Sequence, residues 1–480
     1  MNRFGSLMGA VVLLLTLAGC VNQHAEVLTY RGVVDAGLSR PPTYESGQPL
    51  SLERAIQLAN QDNEQIALSG ENYLQALIDK NRAVADFLPT VSFQPGFTIE
   101  QQPAIGTNPP IPATAGQIQS AAKSGGYIVS GDTWHSIDAP VVGVMNLTPS
   151  SFANLETANQ VIEQRKQLIL DAQATVLLNV AQTYYQVLLS EQQVRVLRES
   201  VDVDEARLRD VNGRYANHLA LALEVSQTEA QAAATRAELT QAENDVRNGR
   251  RTLAFLINTP AVDGPLSDDL RVPDQLPDVD QFRQTAGVTR QDLLAADAAV
   301  RAAKSSVDAA IAEYYPTVSL NVAGFLFRQY FSEASKWDAI LSANLPIFSA
   351  GIIEADVRDA WSRLRQAALV QSMLRRQIDE DVQSSYDNLE STQKKLTDLA
   401  LEVKAAADAR QQSEQLLNNG LAIPLDVLVA QDTLLNAQLV YSSAEFDREV
   451  FYLDLLRVTG QLTPAAADHW RPGNAATRPY

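Results

Sequence analysis

The sequence predicts a mainly α-helical fold with a β-barrel portion, built from long antiparallel coiled-coil helical hairpins (an α-barrel) and four strands per chain. Three observations predict it: two long segments lack Gly and Pro, apolar residues in them recur every seven residues, and the two halves of the chain repeat each other. With 480 residues, the chain is longer than one compact core usually organises.

The long segments free of Gly and Pro run from 150 to 212 and from 352 to 419. At a rise of 1.5 Å per residue, each predicts a helix roughly 90–100 Å long. Apolar residues recur every seven residues within both segments, at Val180, Val187, Val194, Val201 and Leu208, and at Val382, Leu389, Leu396 and Val403. Heptads sustained over this length indicate coiled-coil packing.

Each long segment is followed by a shorter one, 214–248 or 425–459, that also lacks Gly and Pro. The shorter segments carry heptads of their own, at Val225, Ala232, Leu239, Val246 and Leu253, and at Val427, Leu434, Tyr441 and Leu455. Each long helix is therefore expected to pair with the shorter one as an antiparallel hairpin, turning at 213–223 or at 420–426.

The two halves of the chain match at three places. The matches join 87–93 with 314–320 (offset 227), 146–147 with 344–345 (offset 198), and 219–225 with 421–427 (offset 202). The offset falls by 29 residues, from 227 to 198, so the first half contains an insertion between its first two strands, within Gln101–Thr133. The later gain of four corresponds to about one helical turn and is assigned to the second long helix. Internal duplication is the strongest organisational signal in the sequence.

The first residues predict a secretory signal. Met1-Asn2-Arg3 is positively charged, an apolar run from Leu7 to Leu17 follows, and Leu17-Ala18-Gly19-Cys20 resembles the bacterial lipobox, in which the cysteine carries acyl chains. Cys20 is the only cysteine, so it cannot form an internal disulfide and is predicted to be the lipid attachment point rather than a stray buried thiol. Val21 follows it, and the lack of Asp there implies sorting to the outer membrane. No other segment is an apolar run of helix-spanning length.

Four segments alternate apolar and polar residues, as strands with two different faces do. Their apolar positions are Val91, Phe93, Phe97 and Ile99; Ile137, Ala139, Val141 and Met145; Val318, Leu320 and Val322; and Trp337, Ala339, Leu341 and Leu345. Alternation alone suits a soluble sheet with one wet face equally well. An exported, lipid-anchored chain with strands of about ten residues favours membrane-spanning strands instead.

Four strands cannot close a barrel, and open strand edges are not tolerated in lipid. Three chains would supply twelve strands and a closed wall. The sequence therefore predicts a homotrimer with a 12-stranded transmembrane β-barrel. The predicted boundaries are a signal peptide at 1–19, a lipidated segment at 20–50, a first repeat at 51–260, a linker at 261–279, a second repeat at 280–462 and a tail at 463–480.

Three motifs of the second half, together with their degenerate copies in the first, resemble the TolC-type outer-membrane efflux family from about Ser51 to Leu462. The motifs are Arg290-Gln291-Asp292-Leu293-Leu294 with Tyr315-Pro316-Thr317-Val318-Ser319-Leu320 at a helix-to-strand junction, Leu345-Pro346-Ile347-Phe348-Ser349-Ala350-Gly351 at a strand-to-helix turn, and Asn419-Gly420-Leu421-Ala422-Ile423-Pro424-Leu425-Asp426 at a hairpin tip. Their order along the chain makes the resemblance specific.

The resemblance implies a trimeric duct of a tripartite efflux or type I secretion system. Its β-barrel would lie in outer-membrane lipid, and its helices would extend into the periplasm towards a membrane-fusion adaptor coupled to an inner-membrane pump. The implied adaptor contacts at the hairpin tips are Leu219, Ala220, Gly420, Leu421 and Ala422. The first tip departs from the family pattern, because His218 stands where the second has Gly420.

The resemblance also implies a periplasmic gate at Asp426, with Glu224 at the duplicate position. A second acidic residue of the family pattern is absent, because Val429 stands there. Three copies of one carboxylate around an axis would concentrate negative charge and attract cations. Alternatively, Asp426 is a first-turn carboxylate that stabilises the start of the return helix.

Other classes of function are disfavoured by the sequence. The net charge of −19 with no basic stripe argues against nucleic acid as a partner. The four histidines are scattered without metal-ligand spacing, so no metal site, catalytic residue or cofactor is predicted apart from the covalent lipid on Cys20. The alternative to a duct is a lipid-anchored periplasmic coiled-coil scaffold without a pore. The 101–133 insert is the only segment long enough for a separate surface role.

Overall fold

The computed structural model describes residues 23–35, 44–45, 47–101, 133–268, 270–328 and 336–464. Cys20 and all but the ends of the predicted 101–133 insert lie outside these ranges. The described helices are α1 (Gln23–Val34), α2 (Leu52–Asp62), α3 (Glu64–Ala85), α4 (Pro149–Ala216), α5 (Ala222–Leu256), α6 (Val279–Thr289), α7 (Gln291–Ala312), α8 (Ile352–Asn418) and α9 (Pro424–Val458). Within the described ranges, no helix combines the length and apolar character needed to cross a membrane.

The strands form two sheets. They are β1 (Leu50–Ser51), β2 (Thr90–Phe93), β3 (Gly96–Gln101), β4 (Thr133–Leu147), β5 (Leu266–Ser267), β6 (Thr317–Arg328) and β7 (Trp337–Asn344). β1 pairs with β5 in parallel, and the other strands form an antiparallel sheet in the order β2-β4-β6-β7, with β3 also on β4. Because β2 and β3 both pair with β4, they act as one interrupted strand, and the sheet has the four strands predicted.

The helix boundaries repeat with the predicted offsets. The offset of 227 relates both ends of α2 and α3 to those of α6 and α7, and the offset of 202 relates both ends of α5 to those of α9. The prediction that the second long helix contains an extra turn is wrong, because α4 has 68 residues and α8 has 67. The additional residues lie instead in the connection 345–351, where one residue suffices in the first repeat. Positive φ angles at Ala350 (52°) and Gly351 (84°) turn this longer connection into α8.

The chain divides into two compact units, each assembled from both repeats. Unit 1 comprises 1–75, 163–298 and 369–480, and unit 2 comprises 76–162 and 299–368. Unit 2 contains the antiparallel sheet and a small helical core in which Val307 and Ala310 of α7 pack with Ala360 of α8. The sequence-derived repeat and linker boundaries stay predictions.

The core of unit 1 is built on the predicted heptads. Val180 and Val187 of α4, and Val382 and Leu389 of α8, are all fully buried. One cluster joins the helices of the second repeat, with Ala286, Leu293, Ile378, Val382, Leu389, Leu455 and Val458 as members. A second cluster joins the two hairpins, with Val196, Leu197, Ala242 and Leu435. Burial of such side chains contributes roughly 1.5–3 kcal/mol each.

The N-terminal helix α1 is fixed to the body of unit 1. Tyr30 and Val34 are almost fully buried, and the Gln173 side chain on α4 donates to the Val34 carbonyl at 2.8 Å. Arg31 donates to the Asn60 carbonyl at 3.0 Å. The chain is thus held firmly from only a few residues after Cys20.

Titratable side chains surround the buried Glu449 where α4, α9 and the residue after β5 meet. Glu449 of α9 is completely buried, and burial, together with the nearby carboxyl of Asp268, raises its pKa to about 8. Burial and the same acidic groups also raise the pKa of the Tyr185 hydroxyl, which lies 3.4 Å from Asp268 Oδ1. Arg448 Nη2 approaches Glu449 Oε1 at 3.4 Å. The Glu449 carboxyl is therefore held predominantly protonated at neutral pH.

Candidate functional site

Both hairpins turn through the same backbone motif. His218 in the first turn and Gly420 in the second have positive φ angles of 60° and 70°. In each turn, the N–H of this residue donates to the carbonyl three residues earlier at 3.0 Å, and the next N–H donates to the carbonyl five residues earlier at 2.8 Å. This Schellman arrangement satisfies two carbonyls at the end of each long helix. Although His218 replaces the glycine of the family pattern, the backbone of the first tip therefore has the same conformation as that of the second.

The predicted contact residues lie at these two tips. Leu219 is 77 % exposed and Leu421 is 75 % exposed, whereas Ala220 and Ala422 are partly buried and Gly420 is exposed. The neighbouring exposed apolar residues are Leu221, Leu223, Ile423 and Leu425. Each tip thus presents large apolar side chains to solvent.

The two predicted gate residues are the third residues of their helices, Glu224 in α5 and Asp426 in α9. Asp426 is exposed, and its Oδ2 accepts the Ile423 N–H at 3.0 Å. This bond satisfies one of the N–H groups that the start of a helix leaves open, and a negative charge there also favours the helix dipole. The helix-start interpretation of Asp426 is therefore confirmed by this bond, while its gate role stays a prediction.

A cleft of about 360 Å³ lies between the two hairpins near the tips. Glu224 lines it together with three arginines, Arg207, Arg214 and Arg410, and with Glu414. Arg410 approaches Glu414 at 3.5 Å. Burial lowers the pKa of the Arg207 guanidinium, and the nearby carboxylates, Glu414 first, oppose this effect. Glu224 and Asp426, equivalent in sequence, thus have different surroundings.

Polar side chains join the two hairpins further along the helices. Gln231 Nε2 donates to Asp432 Oδ1 at 2.5 Å, and Gln431 Nε2 donates to Ser200 Oγ at 3.4 Å. A polar layer within an apolar helical interface fixes the register of the helices. The heptad pattern does not predict this layer, although Gln431, four residues after the heptad residue Val427, is a recognisable signal for it.

The antiparallel sheet of unit 2 has one apolar and one polar face. Leu320 of β6 lies between Met145 of β4 and Leu341 of β7, so the apolar positions of three predicted strands share one face. Val91 pairs with Gly143 and places the first strand's apolar side chains on the same face. Its exposed large members include Val91, Phe93, Phe97, Val322, Trp337 and Leu341.

The opposite face carries mostly hydroxyl and amide side chains, together with Val142, Val144 and Ile340. Ser319 Oγ lies 2.7 Å from Ser342 Oγ across β6 and β7, and Asn146 pairs with Ser319 from the other side. Strands β2 and β7 are the outer strands of the sheet. A sheet whose apolar face is exposed and whose edge strands have one neighbour each is unusual in a soluble protein.

In the part of the chain that the structure describes, His, Cys, Asp and Glu side chains form no cluster of three or more that could hold a metal ion. The arrangement offers surfaces and clefts.

Comparison with known proteins finds similarity to one family of membrane proteins. Residues 283–461 match the family model described as outer membrane efflux protein. The chain is 31 % identical over 284 residues to the pyoverdine export outer membrane protein OpmQ of Pseudomonas aeruginosa, covering 55 % of this chain and 56 % of OpmQ. It is 23 % identical over 291 residues to the probable outer membrane lipoprotein SilC of Salmonella typhimurium, covering 59 % of this chain and 62 % of SilC. The chain thus spans about three fifths of the length of these relatives.

The fold extends beyond the sequence match. The crystal structure of the outer membrane protein VceC from Vibrio cholerae superposes with a TM-score of 0.71, at 19 % identity, covering 85 % of this chain and 96 % of VceC. The second half of the chain is therefore similar to the outer membrane efflux protein family over residues 283–461, and the chain shares its fold with VceC.

Proposed function

We propose that three copies of this chain form an outer-membrane duct, the outermost component of a tripartite efflux or type I secretion system. The observation that carries the proposal is the sheet of unit 2, which exposes one apolar face and one polar face. Four strands from each of three copies would give a closed 12-stranded barrel, in which every strand edge is paired. The apolar face would contact lipid and the polar face would line the pore.

The sheet geometry supports this arrangement over a soluble sheet. Aromatic and branched apolar side chains on its exposed face would lose favourable burial energy in water, about 25 cal/mol per Å² of apolar surface. The polar face carries Asn321 and Ser342, which suit a wet interior. Outer strands β2 and β7 are available to pair with those of neighbouring copies.

The hairpin tips are proposed to meet a periplasmic adaptor, which links the duct to an inner-membrane pump. Leu219 and Leu421 are the most exposed large apolar side chains of the two tips, and their backbones turn in the same way. A partner therefore meets two similar apolar contacts from each copy. Covering such apolar side chains contributes about 25 cal/mol per Å² of apolar surface removed from water.

Asp426 is proposed to act at a periplasmic gate as well as at the start of α9. Its carboxylate is exposed although one oxygen accepts the Ile423 N–H. Three such carboxylates near one axis would repel each other and attract cations. Glu224 lines the cleft between the hairpins and is proposed to act with the arginines there when the tips move.

Lipid attachment at Cys20 is proposed to hold the chain at the outer membrane. The firm packing of α1 in unit 1 means that a lipid attached just before it is tied to the folded body by a short tether. A single lipidated cysteine gives membrane attachment without a spanning helix.

The test separates the duct from the lipid-anchored scaffold. A Cys20→Ser variant, exported with a leader that is cleaved without lipidation, removes the anchor and leaves the sheet intact. The duct predicts that this variant still needs detergent for extraction and runs as a heat-modifiable trimer. The scaffold predicts a monomer that is soluble without detergent. The latter result would overturn the proposed function.

A further inference from the structure

A second cleft, of about 520 Å³, lies between α5 and the segment that follows it, within unit 1. Its lining includes three arginines of α5, the ring of Phe255, and the segment 259–263. This volume lies within the range of clefts that bind small ligands, roughly 300–1,000 Å³. The hairpin tips and the strand sheet do not contribute to it.

One arginine fixes the wall of the cleft. Arg250 forms an ion pair with Glu191 at 2.6 Å, and its Nη1 donates to the carbonyls of Val262 and Gly264 at 2.8 and 2.9 Å. The charge and donors of Arg250 are thus used to hold the 259–264 segment against α5. The cleft is therefore formed before any ligand arrives.

The other two arginines form an exposed stripe with Phe255. Arg247, Arg251 and Phe255 are spaced by four residues, so they lie on one face of α5, and all three are exposed, Phe255 to 75 %. Like charges four residues apart destabilise a helix, because their side chains are neighbours on its surface. Arg247 has no ion pair among the residues that the structure describes, and Arg251 reaches only the Asn248 side chain at 3.5 Å. A bound anion would relieve this repulsion.

The opposite wall supplies apolar surface and one buried hydroxyl. Pro260 and Ala261 line it, and the Thr259 Oγ1 atom is buried with no hydrogen-bond partner among the described residues. Burying a hydroxyl without a partner costs free energy, so a ligand that offers a carbonyl or an N–H would recover it. Asp263 also lines the cleft and limits its net positive charge.

The duplicated half of the chain has no equivalent stripe. At the offset of 202, Arg247, Arg251 and Phe255 correspond to Glu449, Leu453 and Arg457. Glu449 and Leu453 are completely buried. Since both copies of the helix keep the same boundaries, the fold does not require an exposed Arg-Arg-Phe stripe. The stripe is a feature of the first repeat alone, in a chain whose net charge is −19.

From these observations we propose that the cleft binds a peptide segment that carries carboxylates next to apolar side chains. Arg247 and Arg251 would each bind a carboxylate, which guanidinium groups can do with two parallel hydrogen bonds. The ring of Phe255 and the Pro260–Ala261 wall would cover an apolar side chain. The Thr259 hydroxyl would bond the peptide backbone. This inference goes beyond the duct function and does not depend on it.

The test measures binding of two dye-labelled peptides to the purified full-length protein in lipid nanodiscs by fluorescence anisotropy. One peptide alternates Glu and Leu, and the other alternates Gln and Leu. The proposal predicts that the Glu peptide binds at least about tenfold more tightly, since hydrogen bonds between charged groups are roughly twice as strong as those between neutral groups. It predicts a loss of the same size in the double variant Arg247→Gln/Arg251→Gln and a smaller loss in Phe255→Ala.

The matched control is the double variant Arg195→Gln/Arg236→Gln, which removes the same charge from exposed positions of α4 and α5 outside the cleft. Unchanged binding in this control supports the proposal. Equal losses in the two double variants would show general charge attraction and overturn it. Sedimentation of all variants is measured in parallel. A change of oligomeric state in the cleft variant alone would make the cleft an interface between copies, which would also overturn the proposal.

Discussion

His218 and Gly420 occupy equivalent positions of the two repeats and hold the same left-handed backbone at the ends of the two long helices, with φ angles of 60° and 70°. In both turns the positive-φ residue closes the same pair of hydrogen bonds. Left-handed backbone costs a side-chain-bearing residue roughly 1–2 kcal/mol, and His tolerates it better than branched residues do. The two tips are therefore alike in conformation and differ in strain.

This difference predicts opposite effects of two substitutions. Gly420→Ala should destabilise the second tip by about 1 kcal/mol, and His218→Gly should stabilise the first by a similar amount. Hydrogen exchange of the Leu421 and Leu219 amides measures both, with a change of about fivefold expected in opposite directions.

Gly213→Ala is the matched control for the glycine change. Gly213 lies inside α4, and no atom lies within 4 Å of an added Cβ, so Ala should stabilise the helix by about 1 kcal/mol. Destabilisation by Gly213→Ala as large as that by Gly420→Ala would contradict the explanation from backbone conformation.

A second prediction separates the two roles of Asp426. Asp426→Asn keeps an oxygen for the Ile423 N–H and removes the charge, whereas Asp426→Ala removes both. A gate role predicts that both variants change the cation conductance of the closed duct. The helix-start role alone predicts that only the Ala variant has an effect, a local destabilisation of about 0.5–1 kcal/mol. Tip hydrogen exchange and bilayer conductance, measured on the same preparations, decide between the two.

A third prediction uses neighbouring residues of β6 on opposite faces of the sheet. Leu320→Asp places a carboxylate on the apolar face, which costs up to a few kcal/mol for a charge in lipid, and should prevent stable insertion. Asn321→Asp places the same charge on the polar face and should insert normally while increasing cation selectivity. Membrane fractionation and reversal potentials measure the two effects. Equal tolerance of both variants would show that the apolar face does not contact lipid.

A fourth prediction concerns pH and Glu449. Its pKa is raised from 4.5 to about 8 in the folded chain, so the folded state favours the protonated carboxyl. The stabilisation from the neutral form is complete below the unfolded pKa and is lost as the pH rises through about 8. The melting temperature of the wild type should therefore fall between pH 5 and 9 more steeply than that of Glu449→Gln.

The charged and titratable groups around Glu449 are Asp268, Tyr185 and Arg448, and the variant leaves all three in place. Glu445→Gln, one turn earlier on α9, provides the control and should follow the wild-type curve. A Glu449→Gln protein with the wild-type pH profile would place the titrating group elsewhere.

Much of the fold follows from local chemistry that is legible in the sequence. The absence of Gly and Pro gives the long helices, and period-2 alternation gives the sheet faces, down to the pairing of Leu320 with Met145 and Leu341. The offsets of 227 and 202 hold at both ends of the repeated helices.

Other features could not be read from the sequence, because they depend on which side chains meet in space. The offsets predict about four additional residues in the second long helix, α8. These residues lie instead in the connection 345–351, where Ala350 and Gly351 have positive φ angles. The contact between the buried Glu449 and Asp268 joins residues far apart in the chain. The cleft at Arg247 depends on a loop that Arg250 folds back onto α5.

Single-channel recording of the purified protein in a planar lipid bilayer tests the central claim most directly, because a pore requires both the apolar face in lipid and closure by several copies. The account predicts discrete conductance steps from trimeric wild-type protein and from Asn321→Asp, and no steps from Leu320→Asp. The absence of any current through folded, trimeric wild-type protein, even when the proposed gate at the hairpin tips is opened, would contradict the proposed duct.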